Sequence, residues 1–170
     1  VYNHEMPGGQ YTNLREQARA IGLEHRWPEV SKAYADVNVL FGDIVKVTPT
    51  SKVVGDMALF MVANDLKPQD VSDPAREVAF PESVISLFKG ELGFPPNGFP
   101  KTLEQKVLRG EKPMIGRAGE HLPEVDLTAK RREAEHIIGR KVTDTDLASY
   151  LMYPKVFKDY AEHRREYSDV

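Results

Sequence analysis

One stretch of this chain constrains its fold more than any other. From Pro28 to Ile44 the apolar residues Val30, Ala33, Tyr34, Val37, Leu40, Phe41 and Ile44 recur at intervals of three and four. That interval puts them on one side of an α-helix and predicts that the side is buried. Pro28 suits the first turn, where its missing N–H has no intrahelical partner to lose. The same interval returns in Val53, Val54, Met57, Ala58, Met61 and Val62. These predict a helix from about Pro49 to about Asn64, with Thr48 as its N-cap and Pro49 as its first helical residue. Strand-like alternation is confined to a weak pattern over Val1–Met6.

The remaining punctuation is also helical. Pro7-Gly8-Gly9 reads as a turn, since glycine supplies backbone angles that other residues resist. Thr12 or Asn13 then caps a helix through Leu14, Ala18 and Ile21, closed by Gly22. A short helix is expected near Gln69, and others start at Pro81 and Pro100. Residues 93–100 hold three prolines and two glycines and read as a loop. Asp126 to Ile138 reads as a helix whose Lys130, Arg131, Arg132, Glu133 and Glu135 form a solvated face. Thr143–Asp146 caps another helix, Pro154 interrupts it, and a last one runs from Lys155 to about Glu166. The expectation is a mainly α chain with very little strand. Its division is residues 1–110, a linker at 111–125 rich in Pro and Gly, and residues 126–170. The broad apolar faces within 1–110 predict an apolar patch left open there.

Composition removes several function classes. The 170 residues contain no cysteine, which excludes disulfides, thiolate metal sites and a cysteine nucleophile. Against 26 acidic residues stand 23 basic ones, so no basic excess points to a nucleic-acid partner. No apolar run approaches the roughly 18 residues of a membrane span, and no signal peptide is visible. The chain starts at Val1 and stops at Val170 as if cut at both ends, and the expectation is a fragment of a larger protein.

Few residues here suit chemistry. The five histidines, His4, His25, His121, His136 and His163, have no pair at two or four residues. That spacing would be needed to bring ligands together, so they read as surface or interface residues and no metal site is expected. Gly8-Gly9 lacks the pattern of a phosphate loop. It is either a tight turn or a place where backbone approaches another segment or ligand. Thr48, Ser51 and Lys52 stand apart. At a helix start they surround free backbone N–H groups at the positive end of the dipole, a place suited to a carbonyl oxygen or partial negative charge. The alternative is plain capping, with Ser51 satisfying a backbone amide and Lys52 solvated.

Three stretches resemble the pyruvate carboxylase family. His4–Leu14 (HEMPGGQYTNL) is similar to one family segment. Phe41–Asp56 resembles a second, with Thr50 where serine is usual, and Leu147–Phe157 resembles a third. They occur in the family's order and span the chain. The resemblance implies a large, biotin-dependent multidomain enzyme. One domain carboxylates biotin with ATP, Mg and bicarbonate, and a carboxyltransferase domain passes the carboxyl group to pyruvate to give oxaloacetate. It further implies that this chain is the helical C-terminal extension of a (β/α)8-barrel carboxyltransferase domain, followed by the start of an allosteric or tetramerisation segment. The divalent metal would then lie upstream in the barrel, and the fragment alone would bind no metal and be inactive.

Carried over residue by residue, the resemblance makes Thr48 the catalytic proton shuttle between biotin and pyruvate, and Ser51 and Lys52 contacts of the biotin ureido ring. The implied partners are pyruvate, carboxybiotin, and other domains and subunits of a homotetramer, with no nucleic acid and no membrane. The implied compartment is bacterial cytoplasm or the mitochondrial matrix. The α-subunit of oxaloacetate decarboxylase and the large subunit of transcarboxylase share this region, though residues 143–167 favour pyruvate carboxylase. A non-catalytic helical interaction module at 126–170 is the alternative from another class.

Overall fold

A computed structural model describes residues 4–167 and has helices but no strand among them, in keeping with the mainly α expectation. Two compact units are present, Val1–His121 and Leu122–Val170.

In the first unit the order is α1 (Gly8–Ala20), α2 (Trp27–Leu40), α3 (Thr50–Ala63), α4 (Pro68–Ser72), α5 (Glu82–Lys89) and α6 (Lys101–Val107). Helix α3 is the centre, buried from Ser51 and Val53 to Met61 and Val62. A helix apolar on most sides is stable only inside a core. Helices α1, α2 and α5 pack around it. Buried side chains such as Leu14, Phe41, Met57 and Leu87 each contribute about 1.5–3 kcal/mol. The Phe88 ring meets Phe41 edge-on at 5.2 Å and stacks on Phe99 at 4.3 Å. At the end of α4, the Lys106 ammonium donates to the carbonyls of Val71 and Asp73, both at 2.7 Å, where the helix dipole favours a cation.

Several boundaries differ from the sequence reading. Helix α1 starts at Gly8, so Gly8 and Gly9 are its first turn and not a turn before it. The Pro7 carbonyl accepts the Tyr11 N–H at 2.9 Å, which starts the helix one turn earlier. Thr12 caps nothing; its hydroxyl donates back to the Gly9 carbonyl at 3.1 Å. Ile21 lies past the helix and is exposed. Ile44 is buried as expected but lies beyond α2, after the chain reverses at Gly42 and Asp43, both with positive φ. Of the strand expected over Val1–Met6, residues 1–3 lie outside the described residues and His4–Met6 is not strand. Instead the Met6 N–H donates to His4 Nδ1 at 3.1 Å. His4, read as a surface or interface residue, is buried within the first unit against the Tyr11 ring.

Exposed apolar residues occur in the first unit, and Val45, Val47, Leu92 and Phe94 line one hollow there. Val39, Val45 and Val47 are largely exposed, and Leu92 and Phe94 are partly so.

The second unit contains α7 (Leu127–Ile138), α8 (Asp144–Met152) and α9 (Pro154–Tyr167) around Ala134, Ile138, Val142, Tyr150, Phe157 and Ala161. The predicted cap of α8 is made by Thr143, whose hydroxyl accepts the Asp146 N–H while the Asp146 carboxylate accepts the Thr143 N–H. Hydrogen bonds from Arg140 and Thr143 hold the Asp146 carboxyl well below the usual carboxylate range. The charged face of α7 is paired and not merely solvated: Lys130 meets Glu133, Arg131 meets Asp144, and Glu135 meets Lys141.

Residues 111–125 contain only a short 3-10 turn, Ala118–His121, and expose Ile115, Leu122 and Val125. Exposed backbone with little packing is cut first. Limited proteolysis of the chain is expected to nick within 111–125 before any site in 27–64, and mass mapping of the first fragments checks this. First cuts inside α2 or α3 would contradict it.

Candidate functional site

The segment between α2 and α3 carries the residues singled out from sequence. It is tied down at its start, where the Asn38 amide donates to the Asp43 carboxylate at 2.7 Å and the Asp43 N–H donates to the Asn38 carbonyl at 2.9 Å. At its end the Thr50 hydroxyl accepts the Val47 N–H at 3.1 Å and lies 2.7 Å from the carbonyls of Val45 and Val47. Thr50, not Thr48, therefore closes this turn, and a serine could serve equally.

The capping expectation for Thr48 fails for a local reason. The turn at Val47–Thr50 precedes the helix, so Pro49 occupies the N-cap position and no side chain caps it. The Ser51 N–H is taken by the Val47 carbonyl at 2.8 Å and the Lys52 N–H by the Pro49 carbonyl at 3.1 Å. The backbone donors expected to be free at 51 and 52 are already used. What the helix start offers a ligand is side chains. The Thr48 hydroxyl is exposed and has no hydrogen-bond partner among the described residues.

Thr48, Ser51 and Lys52 share one cavity of about 370 Å³ with Gln10, Asn13, Glu16 and Gln17 of α1. The structure thus brings the three predicted residues together and adds a second wall. Ser51 is buried. The Lys52 ammonium stands on the exposed rim and donates to Asp56 Oδ2 at 2.8 Å. Behind Ser51, the buried Tyr34 hydroxyl donates to the Ser51 carbonyl at 3.4 Å.

Gln10 escapes the sequence reading, which starts α1 after it. The available signal was the polar series Gln10, Asn13 and Gln17 at helical spacing, beside the buried Leu14 and Ala18. Gln10 is 8% exposed, and its Nε2 has no partner among the described residues; nor has Oε1 of Gln17. A buried polar atom left unpaired costs about 1–3 kcal/mol, which a suitable ligand removes. The cavity is lined by the Thr48 and Ser51 hydroxyls, the Lys52 ammonium, the Glu16 carboxylate and the side-chain amides of Gln10, Asn13 and Gln17. That set fits a small ring bearing a carbonyl oxygen and an N–H group.

Among the described residues no three His, Cys, Asp or Glu side chains converge as metal ligands. The other four histidines, His25, His121, His136 and His163, are exposed.

Comparison with known proteins adds relatives over the whole chain. Residues 1–170 match the family model of the conserved carboxylase domain. The chain is 51% identical over 170 residues to a pyruvate carboxylase of Staphylococcus aureus and 48% identical to one of Bacillus subtilis. It spans 15% of the length of each. The carboxyl transferase domain of Rhizobium etli pyruvate carboxylase, solved with pyruvate and biocytin, matches 98% of this chain at a TM-score of 0.94 and 60% identity. The match occupies 28% of that chain.

Burial pushes the Tyr34 hydroxyl from its ordinary value of 10.0 up to about 12. The folded state holds a proton that the unfolded state releases first. The resulting stability is complete below pH 10 and is lost as pH rises towards 12. Tyr34→Phe lacks the titrating group, so its urea midpoint is expected to fall less than that of the wild-type chain across this window. Parallel alkaline losses in the two proteins would contradict the burial of this hydroxyl.

Proposed function

This chain belongs to the conserved carboxylase domain family, and we propose that it supplies the biotin side of a carboxyltransferase site in a longer enzyme of the pyruvate carboxylase type. That enzyme would transfer a carboxyl group from carboxybiotin to pyruvate and release oxaloacetate. The observation that carries this proposal is the cavity where Thr48, Ser51 and Lys52 meet the unpaired Gln10 amide.

When bound, biotin supplies a ureido nitrogen that carries the carboxyl group and a ureido oxygen that gains negative charge as the group leaves. The Gln10 amide and the Ser51 hydroxyl would donate towards that oxygen, and the Lys52 ammonium would place a positive charge beside it. Gln17 Oε1 is free to accept the ring N–H. Preorganised donors of this kind act without rearranging during the reaction, because α3 is held on several sides by the core. The Thr48 hydroxyl would take a methyl proton of pyruvate while giving its own to the ureido nitrogen that has lost the carboxyl group. It does not have to become a free alkoxide, and it has no capping bond to break first.

We assign residues 1–110 to the helical C-terminal region of the carboxyltransferase domain and 126–170 to the start of an allosteric or tetramerisation segment. Exposed Met152, Tyr153, Val156 and Tyr160 favour a contact role for the latter within a homotetramer. ATP, Mg and the divalent metal of the barrel belong to parts of the enzyme outside this chain. No helix among the described residues is long and apolar enough to cross a membrane. The proposed compartment is the cytoplasm in a bacterium or the mitochondrial matrix in a eukaryote.

Thr48→Ala in the full-length enzyme is expected to lower oxaloacetate formation by about 100- to 10,000-fold, the usual loss for a proton relay. ATP-dependent biotin carboxylation should be spared, and Thr48→Ser should retain part of the activity because the hydroxyl survives. Steady-state assays of both half-reactions check this. A folded, biotinylated Thr48→Ala enzyme that makes oxaloacetate at near wild-type rate would remove Thr48 from the mechanism.

A further inference from the structure

The Lys52 ammonium is not left to solvent. Its partner, Asp56 Oδ2, also accepts the Ser83 hydroxyl at 2.8 Å. Ser83 lies in the first turn of α5, outside the cavity, so the rim lysine is linked to a second helix through one carboxylate oxygen. Burial falls from Asp56 to Lys52, so the anchoring carboxylate is the less exposed partner. The Asp56 side chain is 20% exposed and the Lys52 side chain 58%.

Helix stability alone does not explain the pair. Within a helix an acid four residues before a base is the better order, and Lys52–Asp56 has the opposite one. A lysine side chain is long and flexible, with many rotamers available to its terminal charge. Fixing the ammonium at the cavity rim therefore needs an anchor, and Asp56 gains one from Ser83. The carboxylate's second oxygen, Oδ1, makes no hydrogen bond among the described residues. The two donors thus converge on one atom and leave little freedom for the charge they hold.

We propose that Asp56, held by Ser83, is the positioning residue for the Lys52 ammonium, and that α5 thereby contributes to recognition of the ligand ring by the α1–α3 cavity. This rests on the assignment of that cavity to biotin. Neither Asp56 nor Ser83 touches the ligand; both act through Lys52.

The test is a double-mutant cycle in the full-length enzyme, with biocytin as the probe and its Kd read by titration calorimetry. Asp56→Asn keeps the shape and removes the charge. It is expected to weaken biocytin binding about 10-fold, in line with the loss of one charge-assisted hydrogen bond. Ser83→Ala should weaken it less, and Ser83→Thr should restore it. In a Lys52→Met background both effects should vanish, since a residue acting through Lys52 has nothing left to position. A merely structural role would lower the melting temperature and weaken binding in either background. Wild-type affinity in Asp56→Asn and Ser83→Ala, with Lys52→Met weakened, would overturn the positioning role and leave the cavity assignment standing. An Asp56→Asn effect that persists in the Lys52→Met background would also overturn it. Unchanged affinity in Lys52→Met itself would overturn the cavity assignment, and the positioning role with it.

Discussion

The candidate site depends on α1 lying against α3, with the Gln10 and Leu14 side chains seated over Gly55. A Cβ built at this position would run into the Gln10 amide nitrogen and come within 2.9 Å of Leu14 Cδ1. Any larger residue at 55 would displace the Gln10 amide from its place over α3, beside the cavity that Ser51 lines one turn earlier on the helix. Gly55 thus leaves room for Gln10 in the middle of a helix, a place where glycine otherwise costs about 1 kcal/mol relative to alanine. Leu14 and Ala18, both fully buried, hold the two helices together on the apolar side of the same contact.

From that contact the rest of the site follows. Helix α3 is enclosed by α1, α2 and α5, so its first turn has a fixed place. The turn closed by Thr50 sets Thr48 just ahead of it, with a hydroxyl free of internal bonds. Tyr34 reaches the Ser51 carbonyl from α2, and Ser83 reaches Asp56 from α5. Each neighbour of α3 therefore touches the site or one residue behind it. The chemistry sits on the rigid part of the first unit, as donors to a developing charge require.

Much of this was legible in the sequence. The spacing of Val30, Ala33, Tyr34 and Val37 places α2 and its buried face, and Thr143 with Asp146 marks the cap of α8. The Thr48, Ser51 and Lys52 trio is found from its position at a helix start, and the resemblance to the pyruvate carboxylase family assigns it a role. Other features depend on contacts that spacing does not encode. Two glycines after a proline read as a turn, yet Tyr11 bonding to Pro7 makes them helical, and Gln10 becomes a wall of the cavity only through that extra turn. Spacing offers Thr48 as the cap of α3, yet no side chain caps that helix, and Thr50 closes the turn before it through the carbonyls of Val45 and Val47. The Ser83–Asp56–Lys52 link joins residues 31 apart, reckoned from Lys52 to Ser83, and no local pattern announces it.

The central claim is that the cavity between α1 and the start of α3 receives the biotin ring. Hydrogen exchange of the full-length enzyme, followed by mass spectrometry with and without biocytin in the presence of pyruvate, tests it most directly. Protection is predicted over residues 8–17 and 47–55, the two walls of the cavity, while α7–α9 exchange as before. Saturating biocytin that leaves both segments at their ligand-free exchange rates, with protection elsewhere, would contradict the account.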